Sequence, residues 1–346
     1  MPFSTANVPD MWFGLVGLIA LADLSGIKER TALTGSASFY DAFFLAPGIH
    51  TQRDAANVNG GELPVAGAMT TGYVFRIENQ ATVAFLQRVG KTGHLITVTV
   101  SDQRKVPAPL SVFRTCCFPV GVLYSLGIMC TLVALSYLAA TRDYWAVGVL
   151  ATLIAARLLN TIVINHRLQM GWKGMEEPGE KSDLLVLLSQ DRWVRIQGMV
   201  DDVKQVTSGQ WLRDSNEIEG FASAFSTLLV YAAAILTPNA STTGCFIIAG
   251  LLLVSAAILG VCNAYTDDLH MYGRRVWVSQ NAKAYDRRKT MAYELVSSSG
   301  RADWAITMGI IIPEEVDRAL GERDDSEAGQ KGRVQAKRVH HTQGII

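Results

Sequence analysis

Several residues have types and spacing that could do chemistry. Arg157 stands in an otherwise uncharged stretch, seven residues before Ile164, which by the helical rise puts it roughly 10 Å inside the end of a helix. A charge at that depth pairs, lines a polar cavity, or snorkels to the headgroups. Its candidate neighbours are Asn160, one turn on, and Glu219 or Asp267 from adjacent helices. With Asn263, Tyr124, Ser125 and Tyr231 it forms a candidate polar lining. His166 and His270 fall at corresponding ends of two apolar segments, where two imidazoles could ligate a metal or haem. No third ligand with fitting spacing accompanies them, so the expectation is two interfacial histidines and no metal or cofactor.

Asn263 and Asp267 have the four-residue spacing that opens the magnesium-diphosphate motif of membrane prenyltransferases, but Met271 stands at the next position and no second Asp-rich motif exists. Asp201-Asp202 reads as part of a loop. Asp267-Asp268 reads as a solvated helix end that faces Arg274 or Arg275, because an acid is unfavourable at a helix C-terminus. Gly90-Lys91-Thr92 resembles the end of a phosphate loop, yet position 85 is Phe where that loop needs Gly; a turn is expected. Cys116 and Cys117, at the edge of an apolar run, are candidates for palmitoylation. Small residues one turn apart, Ala151/Ala155 and Ala256/Gly260, allow close helix contact. No complete catalytic constellation emerges.

The elements that must position these residues are set by the apolar runs. Of 346 residues 49% are hydrophobic and 18% charged, with 31 basic residues balancing 31 acidic ones. Zero net charge without a basic block excludes a nucleic-acid binder that works by counterion release, and the apolar content excludes a mainly disordered chain. Five cysteines, mostly in apolar runs, make no disulfide scaffold. Phe118–Ala140 holds 23 residues without a charge, and residues 220–266 hold 47, interrupted only by a turn at Pro238-Asn239. A crossing needs about 20 apolar residues. With residues 144–164, which carry only Arg157, the chain predicts an α-helical integral membrane protein of two transmembrane hairpins, four spans in all.

Basic residues orient the hairpins. Arg142 alone lies in the first turn and none in the second, whereas seven Lys/Arg lie between His166 and Glu219 and six between Arg274 and Lys289. The turns should face outside and the larger segments the cytosol. The sequon Asn239-Ala240-Ser241 then has the correct side but lies too near the bilayer to be modified. Residues 11–27 fit either a fifth span with its N-terminus outside or an amphipathic or buried helix.

The expected organisation is an N-terminal apolar segment (1–30), a cytosolic segment (31–115), hairpin one (116–165), an α+β insertion (166–219), hairpin two (220–266) and a helical region with a mobile tail (267–346). Within it, residues 32–67 read as poorly ordered, and residues 81–90 with 94–100 alternate like a β-hairpin. Residues 184–188 and 193–196 read as two strands, with a competing helical reading because Trp193, Ile196, Val200 and Val203 share heptad spacing. Helices are expected over 286–296, through Trp304 and Met308, and from Pro313 to Gly321.

The run SQDRWVRIQGMVDDVKQVTSGQWLR from Ser189 to Arg213, with Tyr272-Gly-Arg-Arg275 and GRADWAITMG from Gly300 to Gly309, resembles a group of uncharacterised fungal multi-pass membrane proteins. The resemblance covers residues 107–313 and implies membrane residence but no activity. The leading functional expectation is a non-catalytic membrane protein that presents cytosolic segments for interaction or membrane organisation. A channel or transporter subunit is the second, and an enzyme acting on a lipid or terpenoid through His166, Asp267, Asp268 and His270 the third. The implied partners are the lipid bilayer and a second copy or a cytosolic protein.

Overall fold

The computed structural model describes residues 17, 19–102, 118–316 and 320. Among them four helices are long and apolar enough to cross a membrane: α3 (Phe118–Ala140), α4 (Tyr144–Arg167), α6 (Glu217–Leu236) and α7 (Thr242–Ala264). Each pair is joined by a tight turn. Asp143 caps α4 by accepting from the Ala146 N–H (3.1 Å) and reaches the other turn, accepting from the Ser241 N–H (3.0 Å) and hydroxyl (2.5 Å). A single carboxylate thus ties the two hairpins together at their turn end. Helix α4 packs closely on α6, where the Ser226 hydroxyl donates to the Ala156 carbonyl (2.8 Å), and α3 packs on α7.

At the other end lies one mixed sheet, to which chain segments before, between and after the hairpins all contribute. The strands are β1 (Val65–Ala68), β2 (Val74–Arg76), β3 (His94–Asp102), β4 (Lys181–Leu188), β5 (Arg192–Met199), β6 (Asp268–Met271), β7 (Arg274–Val278) and β8 (Lys283–Ala284). Their order is β2-β1-β4-β5-β3-β7-β6, with β8 also on β3. Only β3 and β5 run parallel, in the register Val98 to Ile196; the other pairs are antiparallel. Alternation sorts the side chains. Ile96, Val98, Val186, Val194 and Ile196 face the bundle, beneath α1 (Gly26–Thr34), α2 (Gln80–Val89) and α5 (Val200–Thr207). Leu95, Leu185 and Trp193 face the opposite side, covered by α8 (Arg288–Ser299) and α9 (Asp303–Thr307) through Met291, Leu295 and Trp304.

The two-strand reading of 184–196 holds, as β4 and β5 around a turn. The heptad positions beyond it become α5, so Asp201 and Asp202 stand in a helical first turn, where acids are favoured, and not in a loop. Residues 81–90 are not a strand but α2, capped by Asn79, whose side chain accepts from the Thr82 N–H (3.0 Å); its buried positions 81, 82, 83, 85 and 86 follow a helical face. Residues 32–67 are not poorly ordered. They close α1, form 3-10 turns at Phe39–Phe43 and Ile49–Asn57, and begin the sheet. Helices stand where expected at 288–299 and 303–307, and Pro313–Glu315 forms a single 3-10 turn. The expected tail after Gly321, Cys116 and Cys117, and most of the N-terminal apolar segment lie outside the described residues.

Candidate functional site

The largest departure from the sequence reading lies inside the bundle. Residues 38–58 leave the sheet side and wedge their two 3-10 turns against α3, α4 and α6. Phe44, Leu45, Ala46 and Ile49 join the buried core of the four long helices. Non-helical backbone is tolerated among such helices only where protein or water surrounds it, and here protein does. Gly127 on α3 leaves no room for a Cβ against the Phe44 ring, and Gly48 (φ +90°) packs on the Leu24 carbonyl where no side chain fits.

This wedge captures Arg157. The guanidinium donates to the Gln52 side-chain oxygen and to the Asp41 carbonyl (3.3 Å), and the residue is 2% exposed. Its partners are therefore neither Glu219 nor Asp267, and it does not snorkel. Asn160 donates to the Ile49 carbonyl (2.8 Å). The Tyr124 hydroxyl donates to the Asp41 carboxylate (2.6 Å), while its ring is sandwiched between Phe44 (4.4 Å) and the Arg30 guanidinium (5.4 Å). Arg30 in turn donates to the Thr266 hydroxyl (2.8 Å). Five elements are thus joined by one polar centre whose acceptors are largely chain carbonyls and amides. Of the other expected lining residues, Ser125 bonds its own helix and Tyr231 is exposed.

The interfacial candidates separate. His166 pairs with Glu219, which also takes Arg213 and closes a capping box with Asn216 at the start of α6. His270 belongs to β6, opposite Arg275 on β7. Asp268 opens β6 and pairs with Arg275 (Nε to Oδ2, 2.8 Å), one of the two arginines expected; Asp267 is exposed. Among the described residues no group of three His, Cys, Asp or Glu could hold a metal ion. Tyr272 follows at a hairpin turn, donating to the Trp211 carbonyl (2.9 Å); burial pushes its hydroxyl up to about 12.

Two concave features remain. A cleft of about 770 Å³ opens beside edge strand β2, between α5 and the segment 168–180 that follows α4. Arg76, Lys173, Lys204 and Arg213 line it against Glu78 and Glu177, together with Tyr73, Phe75 and Trp172. Lys204 is held by Glu177 and the Met175 carbonyl, and Arg213 by Glu219, whereas Arg76 has no side-chain partner among the described residues. Trp172 is 84% exposed, and Met170 and Met175 are exposed with it. Sequence reasoning missed this cleft because its walls come from four separate segments. The second feature, about 510 Å³, indents the flank of α7 near Asn263. Neither protein-family models, curated sequences nor solved structures match the chain, so its chemistry rests on geometry alone.

Proposed function

We propose that the chain is an integral membrane protein whose bundle is an anchor and whose sheet domain, on the cytosolic face, binds the anionic headgroups of membrane lipids without catalysis. The observation that carries this reading is the 770 Å³ cleft at the sheet end of α4 and α6, with four basic side chains against two acidic ones and Arg76 without a side-chain partner among the described residues. Met170, Trp172 and Met175 follow closely on the end of α4 at Arg167, where this reading puts the membrane surface. An exposed Trp suits that interface, and aromatic walls beside basic residues suit a glycerol backbone below a phosphate. The basic residues of 166–219 and 274–289 support the cytosolic side.

A channel or a lipid-modifying enzyme stands second. The wedge of residues 38–58 fills the bundle, Arg157 and Asn160 turn toward chain groups, and the histidines and aspartates of the enzyme reading are dispersed.

Native mass spectrometry of the full chain with added phosphatidic acid or phosphatidylcholine tests the proposal. The acidic lipid should be retained in preference, and Arg76→Glu with Lys173→Glu should weaken retention at least tenfold, since each basic residue near an anionic surface contributes about 1 kcal/mol. Retention equal to that of the parent would overturn the reading. Inorganic phosphate as competitor separates a headgroup site from a site for free phosphate.

A further inference from the structure

The segment between α4 and β4 is fastened by its backbone but leaves its large side chains uncovered. The Arg213 N–H donates to the Arg167 carbonyl (3.1 Å), the Lys204 ammonium donates to the Met175 carbonyl (2.8 Å), and the Glu177 N–H donates to the Asp201 carboxylate (2.9 Å). Gly171 and Gly209 approach so closely that a Cβ on Gly171 would lie 3.4 Å from the Gly209 Cα. Gly174, at φ +77°, takes a turn conformation that favours glycine. Between these fastenings Met170, Trp172 and Met175 are 48%, 84% and 83% exposed. A loose loop folds such side chains back onto the core. This one, tied to α5 and to residues 209–213, holds three of them out within six residues, and apolar clusters presented in this way mark a contact surface.

The chain itself indicates what that surface meets. Helix α4 ends at Arg167, three residues before Met170 and five before Trp172. An extended chain spans at most about 3.6 Å per residue, so Trp172 lies within about 18 Å of the end of a helix of membrane-crossing length. The neighbouring helix continues the exposure. Helix α6 opens with Ile218 and Phe221, 80% and 73% exposed, and Glu219 between them pairs with His166 of α4, so both helix ends lie together. Lys173, beside Trp172, is of the type whose long stem lets the ammonium stay among headgroups while its neighbours enter lipid.

We propose that residues 170–175 form a finger that enters the headgroup and upper acyl region of the leaflet on the sheet side, with Met170, Trp172 and Met175 in lipid and Lys173 among the phosphates. The inference rests on the membrane reading above but not on headgroup selectivity in the cleft. Trp172 and Lys173 also line that cleft, so the finger sets its mouth against the leaflet. A protein partner is the competing occupant, and it would leave Trp172 in water whenever the chain is alone.

The test uses the full chain in nanodiscs of phosphatidylcholine brominated on the upper part of its acyl chains, with tryptophan emission as the readout. Trp172→Phe isolates the Trp172 emission by difference from the parent. Trp145→Phe does the same for Trp145, which is 54% exposed at the turn end of α4. Brominated lipid should remove most of the Trp172 emission, and iodide in the water should leave it nearly unchanged. The same quenching is expected in an Arg76→Glu background; its loss there overturns the finger, because the bromine would then belong to a lipid held in the cleft. Quenching of Trp172 by iodide and not by brominated lipid, with Trp145 quenched by the lipid, overturns this proposal alone. If brominated lipid quenches neither tryptophan, the membrane reading falls and the finger with it.

Discussion

Arg157 and Arg76 carry the same guanidinium into opposite settings. Arg157 is 2% exposed, and a segment more than 100 residues away in sequence supplies its acceptors. Arg76 lines a cleft and has no side-chain partner among the described residues. The difference separates a charge that organises a fold from one that is free to bind. A buried cation is stable only when its hydrogen bonds are met, and meeting them leaves nothing for a ligand. An exposed one costs the fold almost nothing.

The largest effect should come from Arg157→Leu. It strands the Gln52 oxygen and the Asp41 carbonyl in the core, and each buried acceptor left unpaired costs about 1–3 kcal/mol. Thermal unfolding in detergent should show a large drop or no folded protein; a melting temperature close to that of the parent would collapse the comparison. Next, Asp143→Ala should cost about 1–2 kcal/mol at neutral pH through loss of the helix cap. Burial pushes the Asp143 carboxyl up, but hydrogen bonds from Ser241 and the Ala146 N–H outweigh it and hold the group below its usual 3.8. A depressed folded value means that its stabilisation is complete above 3.8 and is lost as pH falls through the folded value. The gap between parent and variant should therefore close in acid.

Tyr272→Phe should cost about 1 kcal/mol, the worth of its bond to Trp211. Its folded value, raised to about 12, favours the neutral phenol. That contribution is complete below the unfolded value of 10.0 and is lost as pH rises toward the folded one, so the parent should lose stability between these values in a way that the Phe variant does not. The smallest effect belongs to Arg76→Ala, whose melting temperature should shift by no more than about 0.5 kcal/mol would produce. A larger shift would mean that Arg76 serves the fold after all.

Much of the bundle was legible because a helix long and apolar enough to cross a membrane needs a long uncharged run, a demand that few other elements make. The pair β4–β5 was legible for a similar reason, an unbroken apolar run followed by turn residues. Residues 80–89 misled because Ala81, Val83 and Phe85 alternate by chance; the signal that decides is Asn79, an N-cap just before the run. Strands β6 and β7 escaped notice because they have four and five residues, yet Tyr272-Gly273, both with positive φ, is the two-residue turn that such hairpins use. The wedge of residues 38–58 could not be read at all. Its order comes from partners on α3, α4 and α6, and a segment held by distant residues shows no periodicity of its own. The setting of Arg157 was hidden for the same reason.

Strand β3 is made before either hairpin, but its neighbour β5 follows the first and β7 follows the second. During synthesis β3 must therefore wait with both edges unpaired until β5 emerges, and with its β7 edge unpaired until the second hairpin has left the ribosome. Bare strand edges recruit other chains, so a ribosome stalled within α7, or a message cut short there, leaves an aggregation-prone product. The fold thus makes completion of the last hairpin the condition for a fully paired sheet.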